Sequence, residues 1–242
     1  MSQVLIFDLS NLAYISAYRR RDQIAQTEQK AEEIYQACVQ FMRELYRLFS
    51  PEKVWFACDH LSYWRTQIFP DYKANRDDFP LKRLVKEAIG QFKQQNPHLC
   101  LEVPECEADD VIYGLTTHLP GKKIIVSSDR DFLQLVRDDV RLFNPMQMQF
   151  RAPEKKPDFE LFVKCFRGDK GDNIPSAYPR VTKKVLQSAF TNERLFNQVM
   201  QTRLQDGALV QEKFQLNKTL IDFNSIPEAI KQLLAQQIGA LQ

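Results

Sequence analysis

Glu107-Ala108-Asp109-Asp110, followed soon after by Ser127-Ser128-Asp129-Arg130-Asp131, is the part of the chain whose reading decides the fold. Each acidic stretch comes after a short apolar run, Leu99 to Val103 before the first and Lys123-Ile124-Ile125-Val126 before the second. Continuous aliphatic runs of this length read as buried parallel strands. The carboxylates therefore stand where two strands end, and in open α/β sheets that edge is where ligands bind. The pattern occurs twice more upstream: Val4-Leu5-Ile6-Phe7 runs into Asp8, and Val54-Trp55-Phe56-Ala57-Cys58 runs into Asp59. Downstream, Gly168-Asp169-Lys170-Gly171-Asp172 sets two further acids in a turn. Gathered together, these nine carboxylates need positive charge among them, since two like charges about 4 Å apart repel by about 4 kcal/mol at an effective dielectric near ~20.

The same patterning predicts the remaining elements. Strands are expected at 3–8, 53–58, 99–103, 122–126 and about 139–143. Ile34, Cys38, Phe41, Leu45 and Leu48 recur at three or four and predict a helix over about 29–49, which Pro51 ends. Ser10 or Asn11 caps a turn of helix after the first strand. Leu81, Leu84, Val85, Ala88, Ile89 and Phe92 mark an amphipathic helix at about 79–95, and a further helix at about 107–118 opens on the first acidic group. One acid there would serve as a cap; three in four residues exceed that need. The polar, proline-bracketed segment Arg151 to Pro157 is a boundary, and the chain beyond it is helical in pattern.

The chain has 242 residues, 44% hydrophobic and 26% charged. No apolar run approaches the ~20 residues of a membrane span, and the N-terminus leads straight into a strand, so neither a membrane anchor nor a signal peptide is expected. Five cysteines at irregular spacing and without a C-x-x-C pair suit reduced thiols and a cytoplasmic setting. His60, His98 and His118 are scattered, which argues against a zinc site. The net charge of +2 hides an uneven layout, with Lys and Arg gathered in Trp64 to Arg83 and in Lys164 to Lys184. Acidic strand ends flanked by basic stretches can attract a polyanion and still hold a divalent metal. Nine oxygen donors without His or Cys specify a hard cation such as Mg2+.

Taken in order, five pieces resemble the FEN-type structure-specific 5′ nucleases, the family that includes the 5′-to-3′ exonuclease domain of bacterial DNA polymerase I and the phage flap endonucleases. They are Ile6-Phe7-Asp8, the segment from Trp64-Arg65 to Tyr72-Lys73 and Arg76, Glu107 to Asp110, Ser128 to Asp131 with Gln134-Leu135, and Gly168 to Pro175. The resemblance spans about residues 4–190. It implies an α/β fold, PIN-like or FEN-like, with a mostly parallel central sheet flanked by helices. A helical arch would come from about 62–96, within a nuclease core at 1–157. A helix-three-turn-helix module at about 166–190 would lie in a DNA-binding region at 158–242.

The resemblance also implies an activity: metal-dependent hydrolysis of phosphodiesters near the 5′ end of branched, flapped or nicked DNA, with RNA primers in RNA:DNA hybrids as further substrates. Two Mg2+ ions, with Mn2+ substituting, would be held by Asp8, Asp59, Glu107, Asp109 and Asp110 and by Asp129, Asp131, Asp169 and Asp172. Lys73 and Arg76 would neutralise the scissile phosphate, and Arg65, Tyr72, Lys170, Arg180, Lys183 and Lys184 would contact DNA. The enzyme would act as a monomer alongside replication proteins, in a bacterial cell or phage-infected host. Rival readings are a PIN-like ribonuclease and a non-catalytic branched-DNA binder.

One stretch departs from the pattern. Where family members carry a glycine-rich turn after the Asp-Asn-Ile-Pro, this chain has Ser176-Ala-Tyr-Pro-Arg-Val-Thr-Lys-Lys184, without glycine. Lacking glycine, the backbone is not expected to take φ > 0 cheaply. A potassium site is therefore not expected here, and Arg180, Lys183 and Lys184 take over the phosphate contacts.

Overall fold

The computed structural model describes residues 2–25, 30–60, 63–76, 80–153 and 157–240. Along the chain the elements are β1 (Gln3–Asp8), α1 (Leu9–Arg19), α2 (Arg21–Ala25), α3 (Lys30–Phe49), β2 (Lys53–Cys58), α4 (Trp64–Ile68), α5 (Pro80–Gln95), β3 (Cys100–Glu102), α6 (Ala108–His118), β4 (Lys122–Val126), β5 (Val140–Asn144) and β6 (Gln149–Arg151). They continue as α7 (Pro157–Arg167), α8 (Lys183–Thr191), α9 (Glu193–Met200), α10 (Val210–Ile221) and α11 (Glu228–Gly239). Two compact units result: Met1–Tyr63 with Asp78–Ala152 and Glu228–Gln242, and Trp64–Asp77 with Pro153–Pro227. One edge of this division lies between Ala152 and Pro153. Trp64–Asp77 and Glu228–Gln242, however, each fall on the other side from the linear division at 157.

The first unit is built on a sheet ordered β3-β2-β1-β4-β5-β6. Every pairing is parallel except the last, β5 with β6. β1 lies between β2 and β4, with Phe7 opposite Phe56 on one side and Val126 on the other. Its Leu5, Ile6 and Phe7 are fully buried, which is why the run has no alternation. α3 buries Ile34, Cys38, Phe41 and Leu45 as its spacing predicts. It stops where Ser50 turns left-handed, at φ +44, ahead of Pro51.

Residues 80–95, expected as part of an arch, are instead a layer of the core. α5 starts on Pro80, whose missing N–H is no loss at a first helical position. It buries Val85, Ala88 and Phe92 in the same cluster as β1, β2, α1 and α3. Residues 61–62 and 77–79 of the arch region lie outside the described residues.

On α6, a Cβ at Gly114 would meet Ile238 Cδ1 at 2.8 Å and Leu234 Cβ at 3.2 Å, so glycine permits the close seating of α11. That seating places the C-terminal helix in the first unit.

The second unit has an aromatic core. Phe162, Phe166 and Phe214 pack at steep angles to one another, with ring centroids 5.0 Å apart for Phe162–Phe166 and 4.6 Å for Phe166–Phe214. Phe190 and Phe196 close on Phe162 at 5.2 and 5.9 Å. α7 and α8 frame the irregular connection 168–182. Trp64–Asp77 joins this unit because Tyr72 and Phe69 pack on Ile174, Leu220 and Ile221. In the same segment Arg65, expected at a phosphate, is buried, and its Nε donates to the Leu220 carbonyl at 2.9 Å. It is an internal strut of the unit.

Phe56 lies between Phe7 and Phe92, at 4.9 and 4.7 Å. Phe56→Ala should cost about 3–5 kcal/mol of stability, read as a lower urea midpoint with an unchanged slope. A loss under about 1 kcal/mol would show that this stack does not anchor the sheet.

Candidate active site

Asp8 ends β1 and caps α1: the Asn11 N–H donates to its Oδ1 at 3.0 Å and the Ser127 hydroxyl to its Oδ2 at 3.0 Å. Ser127 in turn accepts from the Asp129 N–H at 3.1 Å, and Asp129 Oδ1 accepts from the Asp131 N–H at 2.8 Å. Asn11 and Ser128 are paired twice, through Nδ2 to Oγ at 2.8 Å and N–H to Oδ1 at 2.9 Å. The first turn of α1 is thereby locked to the loop that leaves β4. Asp59, at the end of β2, accepts from the Ser10 hydroxyl at 2.7 Å and the Ala108 N–H at 3.0 Å. Three strand ends are thus tied by neutral donors.

Among the described residues no Lys, Arg or His is paired with Asp8, Asp59 or Asp129. Asp8 registers this: burial pushes its carboxyl up to about 7, the charges of Asp59 and Asp129 add to the rise, and the Asn11 and Ser127 hydrogen bonds oppose it. The acids of α6 divide in role. Asp110 is fully buried and accepts from the Glu107 N–H at 3.0 Å, an N-terminal cap. Glu107 is buried beside it, and Asp109 is half-buried. Asp129 is exposed and Asp131 half-buried. Among the described residues no group of three or more His, Cys, Asp or Glu side chains is arranged to hold a metal directly.

The second unit carries the other expected residues, clasped together. Lys73 N–H donates to the Asp172 carbonyl at 2.9 Å, and Asn75 Nδ2 to the Lys170 carbonyl at 2.7 Å. Asn173 Nδ2 returns a bond to the Asp71 carbonyl at 2.8 Å. On the side chains, Arg76 Nη2 pairs with Asp172 Oδ1 at 2.6 Å, Lys73 Nζ stands 4.0 Å from the same oxygen, and the Tyr72 hydroxyl donates to Oδ2 at 3.3 Å. Lys73 is left-handed at φ +58 and Asn173 at φ +59, departures that the clasp must hold in place. Tyr72, expected to contact DNA, is buried and its ring packs internally.

Asp169 pairs with Lys164 at 2.7 Å. Burial would raise its carboxyl, but the Lys164 ammonium and the Gly171 and Asp172 N–H groups outweigh it and hold the carboxyl below the ordinary range. Lys170, Arg180, Lys183 and Lys184 are exposed, the last two opening α8 behind a Thr182 cap. The glycine-free turn does take a positive φ, at Arg180 (+63), against expectation. Sequence reasoning missed Asn217, which is fully buried and donates to the Cys165 and Pro175 carbonyls at 2.9 and 2.8 Å. Its signal is a lone amide on the apolar face of α10, among Phe214, Leu220 and Ile221.

A mostly parallel sheet flanked by helices, with acids held by neutral donors at its carboxyl edge, defines an α/β protein whose candidate site is that edge. The 5′-3′ exonuclease N-terminal, resolvase-like domain family matches residues 3–160, and the chain belongs to this family. A 5′-3′ exonuclease of Buchnera aphidicola subsp. Schizaphis graminum is 26% identical over 81% of this chain and 74% of its own length. Flap endonuclease Xni of Shewanella pealeana is 30% identical over 72% of this chain and 71% of its own. The fold is shared with the bacteriophage T5 D15 protein co-crystallised with metal ions, at 17% identity and a TM-score of 0.72 over 99% of both chains. No helix among the described residues is long and apolar enough to cross a membrane.

The raised Asp8 carboxyl has a definite sign for stability. Unfolded, it titrates near 3.8; folded, near 7. Between those values the folded chain holds the extra proton, so stability falls as pH rises. The loss reaches about 4 kcal/mol for a shift of this size. In chelator, urea melts at about pH 4 and about pH 8 should show wild type losing stability relative to Asp8→Asn. Parallel behaviour of the two proteins would refute the shift.

Proposed function

We propose that this chain is a metal-dependent 5′ nuclease that hydrolyses phosphodiesters near the 5′ end of flapped, nicked or branched DNA, as 5′-3′ exonuclease and flap endonuclease. The observation that carries this reading is the set Asp8, Asp59 and Asp129: carboxylates at three strand ends, bonded to hydroxyls and N–H groups and to no cation among the described residues. Acids so placed are tolerable when a hard cation joins them. Asp8, Asp59, Glu107, Asp109, Asp129 and Asp131 would hold magnesium, with Asp110 fixing the start of α6 on which two of them ride. Bound there, magnesium supplies an activated water and charge neutralisation at the phosphate.

The chain's own groups do the rest. Ser10, Asn11, Ser127 and the Ala108 N–H orient the carboxylate oxygens, so the site is built before substrate arrives. In the second unit Asp169 and Asp172 are assigned to the same kind of ion, taken in exchange for the lysine and arginine they hold. Lys73 and Arg76, held by backbone bonds as well as by Asp172, offset charge on the scissile phosphate. Residues 166–190 serve as the duplex-binding helix-three-turn-helix module, through Lys170, Arg180, Lys183 and Lys184. Such an enzyme works in replication or repair in the cytoplasm, on primers in RNA:DNA hybrids as well as on DNA flaps.

A magnesium-dependent time course on a 5′-flap labelled at its 5′ end tests the proposal, and absence of any metal-dependent product would overturn it. Asp131→Ala should lower single-turnover cleavage by about 10³-fold, ~4 kcal/mol, with flap binding retained; near-normal cutting would remove Asp131 from the metal site. For Lys73→Ala the expectation is a drop of about 10²-fold, and an unchanged rate would make it a surface lysine.

A further inference from the structure

The second unit contains a cleft of about 550 Å³ whose lining includes Tyr178, Pro179, Arg180, Arg203, Asp206 and Lys213. Three of these are cations and one is an acid. Arg203 and Lys213 are anchored. The chain from Arg203 to Leu209 is a tight hairpin, with the Leu204 N–H on the Ala208 carbonyl at 2.8 Å and Gly207 left-handed at the tip. Arg203 Nη1 donates to the Gly207 carbonyl at 2.7 Å, and Lys213 Nζ pairs with Asp206 at 2.5 Å. Arg180 differs from both. Its guanidinium is exposed and makes no hydrogen bond or ion pair among the described residues, and it stands on a left-handed backbone, φ +63, that an arginine rarely adopts. Strain of this kind is kept where the direction of a side chain matters.

We propose that this cleft is a second phosphate-binding site, which takes the sugar-phosphate backbone of the substrate's duplex arm and is distinct from the exposed start of α8. The proposal rests on the nucleic-acid reading above and names where the duplex continues. Arg180 lies three residues before Lys183. Arg180 belongs both to the cleft wall and to the connection that leads into α8, so the two sites share one chain segment. Two of the cleft's cations are already fixed, and the third is free to close on a DNA strand. An open, cation-lined wall suits a continuous polyanion, whose condensed counterions are released on binding.

The test measures flap-DNA binding in calcium or chelator across a salt series, for wild type, the double variant Arg203→Gln/Lys213→Gln, and Asp206→Asn. Each cation withdrawn from a phosphate lowers the slope of log affinity against log salt by about 0.9. The slope of the double variant should therefore fall by about 1.8, which shrinks the affinity gap between about 50 and 200 mM salt by about tenfold. Asp206→Asn removes the one acid and should tighten binding, an opposite sign that general damage to the hairpin would not give. An unchanged slope in the double variant, or weaker binding by Asp206→Asn with its melting temperature intact, overturns the proposal. If wild type binds and cuts flaps while the slopes do not move, only this inference fails; if wild type neither binds nor cuts, the nuclease reading fails with it.

Discussion

Repulsion among carboxylates at one sheet edge is the constraint to which the rest of the first unit answers. β1 lies between β2 and β4 in parallel register, so the chain after each strand leaves from the same edge. The acids Asp8, Asp59 and Asp129 follow those strands directly or within a short loop. A lysine placed among them would neutralise the group and close the site. The chain supplies hydroxyls, an amide side chain and backbone N–H groups instead, which fix the oxygens without consuming their charge. The cost appears in Asp8, whose buried carboxyl holds its proton to about 7. That cost is the kind that proteins concentrate at functional sites.

The second unit handles the same problem in reverse. Its acids are already matched, Asp169 by Lys164 and Asp172 by Arg76 with Lys73 close by. These pairs are half-buried rather than exposed, apart from the Arg76 guanidinium. Here they ride on a lattice of backbone bonds from Asn75, Asn173 and the Lys73 N–H. The clasp holds the two cations Lys73 and Arg76 and the carboxylate Asp172 on adjoining turns.

Much of this was legible in the sequence, and the failures have physical reasons. The strands of the sheet's centre showed as unbroken aliphatic runs because both their faces are covered. α1 was read as one turn because Leu9, Leu12, Ala13, Ile15, Ser16 and Ala17 bury nearly all round, which erases the 3.6-residue period. β6 is three residues long with Gln149 and Phe150 exposed, too short to show alternation. The carboxylates were recognisable from strand-end position alone. What composition and spacing could not give was pairing between segments far apart in the chain, such as Arg65 with Leu220 or Lys73 with Asp172. A basic and aromatic segment reads as a phosphate surface whether its rings face solvent or, like Tyr72, the interior.

The discontinuity of both units governs how the chain can acquire its structure. Trp64–Asp77 has no partners until Pro153–Pro227 has been made, and the face of α6 around Gly114 stays bare until α11 arrives. Neither unit is a continuous stretch of sequence, so each closes through contacts between segments far apart in the chain. Such long-range closure slows folding and lengthens exposure to aggregation. It also makes each unit dependent on a late segment, α11 for the first and Pro153–Pro227 for the second.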